Sequence, residues 1–146
     1  MDEYELYEAE CEKIRTENHK ILNDFRKHLG LSKLSKKTID KHVSNIDFYI
    51  NVFLLHEEPL RPKSGVNSLD YFLGSWFIRK AMWASVSSIK EYITSLKKFY
   101  TFMEEIAEID SDELLDMKEE IKECKDEWFE AIRKYDDPST SMEDIW

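Results

Sequence analysis

Glycine and proline are scarce in this chain of 146 residues, three of each. That scarcity excludes turn-dense sandwiches, low-complexity linkers and glycine-rich nucleotide loops. Neither Gly-x-Gly-x-x-Gly nor a Gly-Lys-Ser/Thr phosphate loop occurs. The two cysteines, Cys11 and Cys124, are too few for a disulfide framework. No His-Glu-x-x-His, Cys-x-x-Cys or ferritin-like Glu-x-x-His spacing is present, so no metal and no cofactor are expected. His56-Glu57-Glu58 is read as a solvated helix end rather than a metal site. Cys11 and Cys124 fall on apolar seams and are read as inert packing. The most apolar stretch, 71–86, is interrupted by Arg79 and Lys80, too short and too charged for a bilayer. Met1 leads into Asp2, Glu3 and Glu5 with no basic or apolar leader. The expectation is a reduced, cytoplasmic protein that is not an enzyme and has no membrane partner.

What is present is core material: 42% hydrophobic and 13% aromatic residues, enough for one domain. The net charge is −10, a poor first indication of a nucleic-acid binder. It is, however, unevenly placed. Residues 1–18 carry seven acids and two bases, residues 19–103 seven acids and fourteen bases, and residues 104–146 seventeen acids and five bases. A basic middle is thus framed by two acidic flanks. Flanks folded onto the basic middle would mask it; flanks further off than the Debye length of about 8 Å would hardly weaken it.

The apolar period is helical nearly throughout. Tyr4, Tyr7, Cys11, Ile14, Asn18, Ile21 and Phe25 mark one face of a first helix, with Gly30 as a left-handed stop. Ser35 caps a second, faced by Ile39, Val43, Ile46, Ile50, Phe53 and Leu54. Residues 56–67 read as a loop, and Asn67 or Ser68 caps a short third helix. After a break at 82–87, a fourth begins at Ser85 or Ser88, the latter at capping-box spacing from Glu91. Asp110 and Glu113 open a fifth, with Leu114, Met117, Ile121, Cys124, Trp128, Ala131 and Tyr135 on its seam. It ends at Asp136-Asp137-Pro138, and the tail to Trp146 is expected to be loosely held. The seams of the first and last helices are expected to pair, as in a globular bundle rather than a coiled coil, since e/g complementarity is missing. The fold class is therefore all-α: a single-domain bundle of about five helices.

The basic middle supplies the candidate site. Lys36, Lys37 and Lys41 cluster at the start of the second helix, with Lys33 just before. Lys90 and Lys97, with Thr94, line the polar face of the fourth, and Lys98 is adjacent. Two lysine-bearing helices can meet a phosphate backbone. Arg61, Lys63, Arg79 and Lys80 mark loop or helix-end positions.

The order of residues adds a resemblance. Residues 21–31 (ILNDFRKHLGL), Ser35-Lys36-Lys37-Thr38-Ile39 with Ile46 and Phe53, and Val86-Ser87-Ser88-Ile89 with Tyr92-Ile93 and 96–103 (LKKFYTFM) together resemble the N-terminal, SAM-like core-binding domain of tyrosine recombinases and phage integrases. The resemblance covers residues 21–103 and its motifs are degenerate. It implies a SAM-like four-helix core (19–103) with an acidic extension of helix one (1–18) and an acidic C-terminal helix and tail (104–146). In that family the domain clamps duplex DNA and a separate domain cleaves it. The catalytic His-x-x-Arg is absent here, and no cleaving tyrosine can be carried over. The resemblance thus implies a non-catalytic module that binds duplex DNA backbone weakly, with Lys36, Lys37, Lys41, Lys90, Lys97 and Lys98 facing it. The alternative is a protein-interaction or regulatory bundle, binding a protein partner or a second copy through the acidic last helix, with Trp128 and Phe129 exposed or half-exposed as the contact.

Overall fold

A computed structural model of the chain describes residues 2–136. Among these residues all regular structure is helical: α1 (Glu3–Leu29), α2 (Lys36–Phe48), α3 (Leu69–Tyr71), α4 (Phe77–Lys80), α5 (Val86–Glu105) and α6 (Ser111–Asp136). No described helix is long and apolar enough to cross a membrane.

Local chemistry sets most of the helix ends. Asp2 accepts from the Glu5 N–H at 2.8 Å, and Arg26, Lys27 and His28 complement the negative end of α1. Gly30 does not adopt the left-handed stop expected of it: its φ is −66°, and α1 unwinds through ordinary turn bonds from Leu31 and Ser32. Ser35 caps α2, accepting from the Thr38 N–H at 3.2 Å. At the start of α5 the reciprocal partner of Ser85 is Ser88, so Ser88 is the third helical residue and not the cap, and Glu91 is free for another task. At α6 the expected box forms: the Glu113 N–H donates to Asp110 and the Asp110 N–H donates to Glu113.

Two wide π turns are woven into the helices, and neither leaves a sequence signature. Tyr49–Phe53 continues α2, closed by the Leu54 N–H donating to the Tyr49 carbonyl. The added residue per turn resets the phase of the apolar face, so Tyr49, Ile50, Phe53, Leu54 and Leu55 are all buried. Phe72–Trp76 joins α3 to α4, making one run across 69–80 that buries Leu69, Phe72, Leu73, Trp76, Phe77 and Ile78. The expected loop at 56–67 holds a short 3-10 helix, Pro62–Asn67. There Gly65 lets two phenols approach: the Tyr49 hydroxyl donates to the Gly65 carbonyl and the Tyr100 hydroxyl to the Pro62 carbonyl, and a Cβ at Gly65 would lie 2.6 Å from the Tyr100 hydroxyl oxygen.

The core is one aromatic-rich cluster. Phe25 meets Phe99 edge-on with centroids 5.3 Å apart, and Phe72 packs among Tyr49, Phe53, Phe77 and Tyr92. A small satellite cluster of Cys11, Ile14 and Leu55 ties down the middle of α1, and Tyr7 donates to the Leu55 carbonyl. Tyr4, expected on the buried face, is exposed because the first turns of α1 run past the body. α1 lies against α2, α2 against α5, and α5 against α6, which closes on the 69–80 helix. The expected pairing of the first and last seams is therefore replaced: α6 buries Met117, Ile121, Trp128 and Ile132 against α5 and 69–80, while α1 packs chiefly on α2. Residues 137–146, including Pro138 and the tail, lie outside the described residues.

Candidate nucleic-acid interface

The α2–α5 contact fixes where the expected lysines go. Asn45 donates to Glu91 at 2.9 Å and to Ser95 at 3.0 Å, while His42 Nδ1 lies 2.7 Å from Ser95 Oγ. Residues further along α2 thus meet residues earlier in α5, so the two helices run antiparallel and the start of α2 lies beside the second half of α5. Lys41 bonds Glu91 at 2.9 Å, and the Lys98 charge reaches His42. Lys37, four residues before Lys41, shares its side of α2. Lys37, Lys41 and Lys98 are therefore brought together on the outer rim of this contact.

Lys90 and Lys97 occupy the other border of α5. The Lys90 ammonium stands over the Phe129 ring of α6, 5.6 Å from its centroid. Lys97 lines a shallow depression with His28, Lys98, Thr101 and Lys118. Both are exposed, as are Lys36, Lys37 and Lys41; Lys98 is half-buried. Lys36 is the member left out. It falls four residues before Asp40, which pairs with Arg26 of α1, so its edge turns toward α1 and away from α5. Of the other basic residues singled out, Arg61 is spent on the acidic start of the chain, with two bonds to Glu17 and an ion pair to Glu10.

Trp128 is not where a surface contact requires it. The indole is almost fully buried, its N–H donates to Asp70 at 2.7 Å, and Gly74 makes room for its ring, where a Cβ would sit 2.9 Å from the indole. The seam position that Trp128 already held in the sequence pattern is the reason. Phe129 is half-buried beneath Lys90 rather than part of an open apolar patch. Cys11 is fully buried. Cys124 is partly covered, and burial followed by Asp70, Glu120, Glu127 and Glu123 pushes its thiol above the ordinary range, the opposite of nucleophile activation. No group of three or more His, Cys, Asp or Glu among the described residues is arranged to hold a metal.

The reading by net charge missed how α6 distributes its charges. Lys118 borders the Lys97–Lys98 depression and Phe129 lies under Lys90, so the edge between them faces α5. Steps of four, three and four place Lys118, Lys122, Lys125 and Phe129 on that edge. Asp116, Glu120, Glu123, Glu127 and Glu130 fall on the opposite edge, where Glu127 and Glu130 line a cleft with Gly74, Ser75 and Arg79. A helical wheel of the last segment carries this signal; a block sum hides it. Scans of protein-family models, curated proteins and solved structures find no match to this chain.

Proposed function

We propose that the chain is a non-catalytic module that binds the backbone of duplex DNA weakly. The observation that carries the reading is the outer side of the α2–α5 pair. Antiparallel packing groups Lys37, Lys41 and Lys98 on one border of α5 and leaves Lys90 and Lys97 on the other, with Glu91 the carboxylate between them. Surface lysines spaced along neighbouring helices neutralise phosphates without reading base edges, which suits weak binding with little sequence preference. α6 flanks these lysines and does not cover them. The similarity of residues 21–103 to the SAM-like domain of tyrosine recombinases points to the same partner, and the domain would then be a SAM-like core carrying an extra helix.

The full chain is the form to test. Ending it at residue 103 would remove Met117, Ile121, Trp128 and Ile132 from the core. In a gel shift on a short duplex, log affinity should fall against log salt with a slope at least as steep as about −4 to −5, the value for the five lysines of α2 and α5 alone. Lys37→Glu together with Lys97→Glu should abolish retention while the helical circular dichroism stays unchanged. Unaltered retention by that variant overturns the reading. The alternative, a protein partner on α6, has lost Trp128 as its contact and would have to use the carboxylate edge.

A further inference from the structure

The charge segregation on α6 extends the surface beyond the lysines of the recombinase-like segment. We infer that the α5-facing edge of α6 is a second phosphate-binding row, made by Lys118, Lys122 and Lys125, and that duplex DNA lies across the α5–α6 boundary. This rests on the DNA-binding reading above and specifies the footprint of that partner.

Three observations carry it. First, Lys118 borders the depression lined by Lys97 and Phe129 lies under Lys90, so the edge of α6 that carries Lys118, Lys122 and Lys125 at helical spacing runs beside the Lys90–Lys97 border of α5. Second, all five are exposed and none is held in an ion pair among the described residues, in contrast to Lys41 on its Glu91. Exposed ammonium groups with no carboxylate on them are free to neutralise phosphates. Third, Glu120, Glu127 and Glu130 of α6 turn away from α5, toward the 69–80 helix.

The test compares four full-length proteins on the same short duplex at about 0.1–0.3 M salt, where the Debye length is below about 10 Å. With eight engaged lysines the wild-type slope is about −7, and Lys118→Gln/Lys122→Gln/Lys125→Gln should make it shallower by about 2.7, three contacts at about 0.9 each, returning it to about −4 to −5, the value of the α2 and α5 lysines. Glu123→Gln/Glu127→Gln, on the opposite edge, should leave the slope unchanged. If the triple-lysine variant keeps the wild-type slope while Lys37→Glu/Lys97→Glu abolishes binding, the α6 row is refuted and the DNA-binding reading stands. If the wild type shows no salt-dependent retention on duplex, both fall together. Retention on anionic phosphatidylserine vesicles with none on duplex likewise overturns both, in favour of a lipid surface.

Discussion

His42 shows how a single residue ties the framework beneath the lysines to pH. It is buried in the α2–α5 contact with Ser95 on Nδ1, Asn45 alongside, and the charges of Lys98, Lys41 and Glu91 around it. Burial first, then Lys98, holds the imidazole below its ordinary 6.5, with Lys41 adding to the effect and Glu91 opposing it. The unfolded chain therefore takes up this proton before the folded one does. Stability from this residue is complete above pH 6.5 and declines as pH falls below it, levelling once folded His42 is itself protonated. Glu91 acts at lower pH. Burial would raise it, but the Asn45 amide and Lys41 ammonium overcome this and hold it below 4.5. Its contribution is present above 4.5 and lost as pH falls through the lowered value. Urea midpoints should thus fall in two stages on acidification. His42→Gln should remove the first stage and leave the second, and a His42→Gln protein whose midpoint still drops just below pH 6.5 would refute this assignment.

Helix ends show which local signals are sufficient and which are overridden. Ser35 and the Asp110–Glu113 pair are caps legible in the sequence, because a side-chain oxygen three residues ahead of a free N–H needs no tertiary help, whereas Ser85 is one of two candidates there and its partner is Ser88 rather than Glu91. Gly30 looked like a left-handed stop and is not one, since glycine permits that conformation without requiring it. The left-handed residue is Ala107, with φ 61°. It closes α5 in a Schellman pattern, with its own N–H donating to the Glu104 carbonyl and that of Glu108 to the Met103 carbonyl. The reason is tertiary: the chain must bury Ile109 and start α6 within a few residues of leaving α5. Ala107→Gly should therefore stabilise the protein by about 1 kcal/mol, whereas Gly30→Ala should change it by less than about 1 kcal/mol. Chemical denaturation measures both; a destabilised Ala107→Gly would contradict the strain. The π turns at 49–53 and 72–76 were not legible, because they arise from fitting aromatic rings in three dimensions. The candidate site was legible as far as two lysine-bearing helices, yet Lys36 and the α6 row depended on which helix each edge faces. Trp128 had declared itself on a seam, and its burial follows from that spacing.

For the whole molecule the sign of the net charge and the sign of the lysine rows disagree, and on the proposed DNA-binding reading ionic strength decides which one a duplex would meet. The chain carries −10 overall, while its carboxylate-rich α6 edge and its lysine rows are separated by about one helix width, on the order of 10 Å. At physiological salt the Debye length of about 8 Å screens the far edge from a duplex seated on the lysines, so local attraction dominates. Toward 0.01 M the Debye length grows to about 30 Å, and the full negative charge then repels the phosphates. Counterion release strengthens binding as salt is lowered, but this repulsion grows in the same direction and opposes it. The plot of log affinity against log salt should therefore be steep above about 0.1 M and flatten or turn over toward about 0.01 M. Neutralising the distant edge with Glu123→Gln, Glu127→Gln and Glu130→Gln should straighten the low-salt end while leaving the steep part alone. A wild-type line that stays straight to the lowest salt would mean that the far carboxylates do not act on the bound duplex, and that the acidic flank serves something other than tuning this contact.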